Sequence, residues 1–184
     1  MAVEPFSSLA ELLVTLESLQ EQPSDDVVPA QAHLLQTAEL LAATHPDDPE
    51  LVVAGLVHDI ATALGLGEGD HELVGADLVT PLLGARVGAL VGGHVDAKRY
   101  LVATEGAYGS LLSENSTATL RAQGGAMDEI ELQSFRERVD WRAMVALRRA
   151  DDAAKVPDAR ARPVGAWREL LESTVVRYSH LPGG

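Results

Sequence analysis

Six residues of this 184-residue chain have the side-chain types that hold metal ions in a cysteine-free protein: His33, the doublet His58-Asp59, His71, His94 and Asp151. Four imidazoles and two carboxylates meet the demand of two ions that share one carboxylate and keep positions open for substrate and an oxygen species; ions in such sites lie ~3.5–4 Å apart. With no cysteine in the sequence, disulfides and thiolate sites are excluded. Asp59 follows His58 at roughly 100° around a helix axis, so the two side chains can address one pocket from neighbouring faces, with Asp59 reaching both ions. Their setting, Val57-His58-Asp59-Ile60, is strongly apolar. Two ionisable groups buried there unpaired would cost on the order of several kcal/mol, which favours ligation.

Cations accompany the later ligands. Lys98 stands four residues after His94, and Arg148, Asp151 and Lys155 are spaced i, i+3, i+7, so each pair can share a helix face. One pocket could then hold metal at one end and an anionic substrate group at Lys98 and Arg148. Taken alone, Asp151 reads equally as a ligand or as a surface partner of Lys155. Asp152, Arg149 and Arg99 read as ion-pair residues. His45 and His180 read as hydrogen-bonded core residues rather than ligands.

These side chains need helices to carry them. Leu9, Leu12, Leu13, Leu16 and Leu19 follow helical spacing after Ser7 and Ser8, predicting a helix over 8–20. Helices are expected over 29–44 and 48–65, the latter with Asp48 as N-cap and Pro49 in the first turn. Asp70 can cap a helix over 71–80, and Gly84 precedes one over 84–99. The Gly-, Ser- and Thr-containing stretch 104–126 reads as a long loop broken by short helical turns. Helices resume over 128–138, 140–156 and 163–177. No segment alternates like a strand and no linker or repeat divides the chain, so the expectation is all-α: one domain over 1–184, a helical bundle with one long loop.

Charge narrows the partners. Residues 1–85 hold 15 acidic residues and no Lys or Arg, while residues 86–184 hold all 14 basic residues against 13 acidic ones. An overall charge of −14 repels phosphate backbones and anionic lipid, so neither nucleic acid nor a membrane is expected as a partner. A small anionic ligand must find its cations in the second half or on a metal. The longest apolar run, Leu51 to Val57, is far short of the ~18 residues of a membrane span. The first residues lack the basic start of a secretory signal, and the expectation is a soluble, cytoplasmic protein.

His33, His58-Asp59 and a late Asp151 form the pattern of the HD-domain superfamily, and His71 with His94 resembles its binuclear branch. Three downstream segments are more specific: His94-Val-Asp-Ala-Lys98-Arg-Tyr100-Leu, Leu120-Arg-Ala-Gln123-Gly-Gly125 and Arg148-Arg-Ala-Asp151-Asp-Ala-Ala-Lys155-Val-Pro157. Together, over about residues 30–172, they resemble the PhnZ-like oxygenases, relatives of myo-inositol oxygenase that cleave the C–P bond of 1-hydroxyphosphonates.

The resemblance implies two iron ions in a mixed-valent Fe(II)/Fe(III) pair with O2 as co-substrate. One iron would be held by His33, His58, Asp59 and Asp151, the other by His71, His94 and the same Asp59. Asp59 and Lys98 would take direct part in the reaction, and Lys98, Ser116, Gln123 and Arg148 would line the substrate pocket. Oxygenation of the hydroxyl-bearing carbon would release phosphate and a carboxylic acid. The aminoethylphosphonate branch carries Tyr-x-x-Glu before the first His, where this chain has Pro23-Ser24-Asp25-Asp26. The iron-capping Tyr is therefore absent. Asp26 is left to meet a substrate ammonium, with room for a methylated amine or another head group. Thr62 replaces a phosphate-facing His that can follow the doublet by four. A metal-dependent phosphohydrolase could use the same pocket on a small phosphate ester, and a non-catalytic metal-containing ligand-binding module is the third alternative.

Overall fold

The computed structural model describes residues 4–20, 22, 27–67 and 69–176. Among these there is no strand. Ten α-helices follow one another: α1 (Leu9–Ser18), α2 (Ala30–Thr44), α3 (Pro49–Val57), α4 (Ile60–Ala63), α5 (His71–Leu83), α6 (Ala85–Thr104), α7 (Glu114–Ala122), α8 (Glu129–Glu137), α9 (Trp141–Ala153) and α10 (Arg168–Thr174). Short 3₁₀ turns occupy Tyr108–Ser110 and Val164–Trp167. The all-α architecture is that expected from the periodicity. No helix among the described residues is long and apolar enough to cross a membrane.

Several helix starts are fixed by side chains that satisfy otherwise orphaned backbone N–H groups. Ser8 accepts from the Glu11 N–H at 3.2 Å and Asp48 from the Leu51 N–H at 3.1 Å, with Pro49 in the first turn. Asp128 and Glu131 form a reciprocal capping box at the start of α8. Arg86 joins three starts by pairing with Asp48, Glu50 and Asp140 at 2.6, 3.1 and 3.0 Å, which ties the beginnings of α3, α6 and α9 together.

The core lies between α2, α3, α6 and α9, filled by Leu34, Val53, Leu56, Val87, Leu90 and Leu147. α5 lies along α6, and their closeness depends on residues without side chains. A Cβ on Gly88 of α6 would come within 1.9 Å of Thr80 Oγ1 on α5, and one on Gly93 within 2.4 Å of Met144 Sδ on α9. α6 therefore reaches its neighbours almost backbone to side chain at both points.

Two elements differ from expectation. The helix expected over 48–65 breaks at the functional doublet: α3 ends at Val57, Asp59 takes φ −104° and ψ 20°, and α4 restarts at Ile60. The His58 ring donates from Nδ1 to Gly55 O at 2.9 Å where α3 ends. His94 makes the same i−3 bond to Val91 O at 2.7 Å inside unbroken α6, so that bond does not by itself force the break. The stretch expected as a loop contains a full helix, α7, capped by Ser113, which accepts from the Ser116 N–H at 3.1 Å. Its apolar content is too low to mark a buried stripe, and only its cap signals it.

Candidate metal centre

The six ligand candidates come from five places in the fold and meet at one. His33 lies in the first turns of α2, His58 and Asp59 fill the α3–α4 junction, His71 opens α5, His94 sits at mid-α6, and Asp151 lies in the last turn of α9. Two groups of donor atoms result: His33, His58, Asp59 and Asp151, and Asp59 with His71 and His94. Asp59 belongs to both through different oxygens. Its Oδ2 lies 3.7 Å from His33 Nε2 and 3.6 Å from His58 Nε2, while its Oδ1 lies 3.6 Å from His71 Nε2 and 3.5 Å from His94 Nε2. Asp151 Oδ1 closes the first group at 3.2 Å from His33 Nε2 and 3.8 Å from His58 Nε2.

The outer edges of the rings decide what the inner edges can do. His33, His58 and His94 each face a backbone carbonyl through Nδ1, of Ala154, Gly55 and Val91, at 2.9, 2.9 and 2.7 Å. A carbonyl only accepts, so each ring carries a proton on Nδ1 and turns its Nε2 inward. His33 Nε2 and His58 Nε2 are 3.2 Å apart, and His71 Nε2 and His94 Nε2 are 3.3 Å apart. Ring nitrogens converging with carboxylate oxygens in this way favour a cation, a proton or a metal ion, between them. The donor set of nitrogen and oxygen without sulfur suits first-row ions such as iron. The residues present therefore fit a pair of metal ions sharing Asp59.

The electrostatics follow the same division. Burial opposes charge on Asp59, but the His58 and His94 rings outweigh it and lower its pKa to about 2, so it is a carboxylate at neutral pH. Burial also opposes charge on Asp151, and the Arg148 guanidinium overcomes this, holding the carboxyl well below its usual range. His94 is pushed down to about 3 by burial, the state a ligand needs. Burial works against a proton on His33 too, yet Asp151 and Asp59 raise it to about 9, which marks the space between them as favourable to a cation.

A cavity of about 410 Å³ opens onto the centre, with Asp59, His71, His94 and Asp151 in its wall. Lys98, 2% exposed, and Arg148, 4% exposed, lie on the same cavity. The Lys98 ammonium donates to Thr119 Oγ1 at 3.0 Å. Burial, with Arg148 nearby, lowers Lys98 to about 8. Arg148 is more fully engaged: it reaches Asp151 at 2.8 Å, Ser116 Oγ at 3.2 Å and Tyr108 OH at 3.2 Å, and it pairs with Asp152.

Of the expected substrate contacts, Lys98, Ser116 and Arg148 line the cavity. Gln123 does not line it. It ends α7 with its Oε1 buried and without a hydrogen-bond partner among the described residues. Thr119, one turn earlier on α7, and Asn115 are on the cavity instead, as is Lys155, whose Nζ is 3.9 Å from Asp151 Oδ1. Thr119 and Asn115 are not legible in the sequence, because a stretch that reads as loop hides the one-turn spacing of 115 or 116 to 119. Asp26 and His180 lie outside the described residues. Arg99 pairs with Glu131 at 2.6 Å, Arg149 pairs with Glu105, and Asp152 holds Arg148, as ion-pair residues should. His45 is exposed at the end of α2 rather than in the core, 2.9 Å from Thr44 Oγ1.

An all-α bundle with a divided His/Asp cluster beside a cavity lined by Lys98, Arg148 and Lys155 defines a helical protein with a candidate metal site, and sequence relatives give the class its chemistry. No family model matches the chain. A hydroxymethylphosphonate dioxygenase of Gimesia maris is 33% identical over 160 residues, covering 81% of this chain and 79% of that protein. A glycine-betaine-forming [1-hydroxy-2-(trimethylamino)ethyl]phosphonate dioxygenase of Leisingera caerulea is 33% identical over 155 residues, 79% of each chain. An uncharacterized protein, L432, of Acanthamoeba polyphaga mimivirus is 29% identical over 172 residues, 85% of this chain and 78% of that one. The chain belongs to the PhnZ-like family of phosphonate dioxygenases and is an oxygenase enzyme.

Proposed function

We propose that this HD-type domain, spanning residues 1–184, is a cytoplasmic di-iron oxygenase that cleaves the C–P bond of a small 1-hydroxyphosphonate. The observation that carries the reading is the division of Asp59 between two His-rich donor groups, set beside buried Lys98 and Arg148 on one cavity. His33, His58, Asp59 and Asp151 would hold one iron, and His71, His94 and Asp59 the other. When bound, a mixed-valent Fe(II)/Fe(III) pair supplies activation of O2 and oxidation of the hydroxyl-bearing carbon. Overall, one O2 is consumed, the C–P bond is exchanged for a carboxylate C–O bond and a phosphate P–O bond, and the carbon-bound hydrogen leaves as a proton.

The chain's own residues position the anion. Lys98 offers the phosphonate a desolvated ammonium, and Ser116 and Arg148 supply oriented donors beside it. Because Asp151 and Asp152 already compensate Arg148, Lys98 contributes the larger uncompensated charge. Asp59 both ligates and sets the separation of the two ions. Thr62 and Leu66 also line the cavity. Hydroxymethylphosphonate and the 2-amino and 2-trimethylammonio derivatives of 1-hydroxyethylphosphonate are the substrates to compare.

The deciding experiment is low-temperature spin resonance after partial oxidation of the iron-loaded protein, run beside O2 uptake and phosphate release. A coupled mixed-valent signal and equimolar O2 and phosphate are expected. Phosphate release that persists without O2, or with Mn replacing Fe, would identify a hydrolase instead. Ligand binding with no turnover would identify a binding module.

A further inference from the structure

Three of the four ring ligands are braced on their outer edge by a backbone carbonyl, and the fourth is not. His71 Nδ1 faces a side chain: Glu72 Oε2, at 3.6 Å. That oxygen is buried and has no hydrogen-bond partner among the described residues, although Glu72 is the second residue of α5 and its side chain is 13% exposed. A buried acceptor without a donor is costly, and such atoms in native proteins call for an explanation. The neighbouring imidazole offers one, because a ring that binds metal through Nε2 must carry its proton on Nδ1. The separation exceeds hydrogen-bond length by a few tenths of an ångström, within the reach of a small turn of a ring that is itself 20% exposed.

We infer that Glu72 is the positioning residue of the second ion: its carboxylate takes the Nδ1 proton of His71 as a hydrogen bond when Nε2 engages metal, fixing the ring and strengthening it as a donor. The inference rests on the binuclear reading above. It makes the two ions unequal. At the inner ion all outer-edge partners of the rings are backbone carbonyls, neutral and fixed by helices. At the second ion one ring leans on a carboxylate, an anionic partner that raises ligand basicity more than an amide carbonyl does. α5 also begins at His71, with Asp70 making no side-chain cap bond.

The test is iron release from the loaded full chain under a chelator challenge, without O2. Wild type should release two irons per chain in separable phases, and His71→Ala should identify the phase belonging to the second ion by removing it. Glu72→Gln should speed that phase 10–100-fold, the usual cost of losing an outer partner, and leave the other phase unchanged. Glu72→Asp, which keeps the charge, should restore part of the loss and serves if the Gln variant does not fold. In the zinc-loaded protein, nitrogen-detected imidazole spectra should report the His71 Nδ1–H as hydrogen-bonded in wild type and not in Glu72→Gln. Two unchanged phases in Glu72→Gln would overturn the inference. So would equal acceleration of both phases with a lowered unfolding temperature, since that is the mark of a merely structural carboxylate. Fewer than two irons in wild type would instead sink the binuclear reading itself.

Discussion

The two halves of the metal centre are built differently. The inner half draws His33 and Asp151 from α2 and α9 and His58 from the end of α3, helices that form the core, and each of its rings is locked by a backbone carbonyl. The outer half draws His94 from equally rigid α6 but His71 from the first residue of α5, just after a turn in which Gly67 takes φ 72°. A Cβ on Gly67 would come within 2.7 Å of His71 Cα, so the outer ligand depends on a tight loop. Rings braced by backbone carbonyls of the core helices are preformed before any ion arrives, whereas His71, without such a brace at the first residue of α5, is adjustable. The cavity reaches His71 and His94 but not His33 or His58, so of the four rings the outer pair borders the open space, beside Asp59 and Asp151.

The severest way to collapse that asymmetry is Asp59→Ala, which removes the shared carboxylate. It should leave near-zero iron by metal analysis and no turnover, whereas His94→Ala should keep about one iron per chain. Two irons retained in Asp59→Ala would refute the bridging role. Next in size is Lys98→Ala, which removes a charge-assisted contact of about 1.5–3 kcal/mol. KM for the phosphonate should rise roughly 10–100-fold by that figure, with iron content unchanged.

Acidity sharpens the same contrast. Lys98 falls from an ordinary value of 10.5 to about 8 because burial, and then Arg148, disfavour its charged form. The ammonium is therefore in place below pH 8 and lost as pH rises through it. kcat/KM should decline above about pH 8, and Lys98→Arg, which stays charged, should remove that alkaline limb. A decline unchanged in Lys98→Arg would assign it to another group.

Smaller again is Thr119→Val. The Thr119 hydroxyl gives its proton to Asn115 O at 3.1 Å and accepts from Lys98 at 3.0 Å. Its loss should cost ~1 kcal/mol of positioning, about a fivefold rise in KM. Least for catalysis is Asp128→Ala at the α8 capping box, far from the cavity. It should lower stability by ~1 kcal/mol in denaturant melts and leave KM alone.

How much of this was legible in the sequence depends on what carried the signal. α1, α2 and the start of α3 were readable because leucine periodicity and the Asp48-Pro49 cap are local features. The break at His58-Asp59 was not, since nothing in Val57-His58-Asp59-Ile60 disfavours helix; Asp59 leaves helical geometry at the point where it faces both donor groups. α7 was obscured by its polar composition, and Gln123, expected on the cavity, gives way to Thr119 one turn earlier. The convergence of His33 with Asp151 across the bundle is a tertiary fact that no local pattern contains. Ligand type and number implied it only through the cost of leaving buried ionisable groups alone.

The glycines of α6 carry a last implication. Gly88 admits Thr80 of α5 and Gly93 admits Met144 of α9, so the seating of α6 between those two neighbours is set by absent side chains, and α6 is the helix that carries His94. The reach of His94 toward the other donors can therefore be altered without any donor residue changing. A single methyl group at Gly88 would meet Thr80 Oγ1 at 1.9 Å and force that side chain, or α5 with it, to shift.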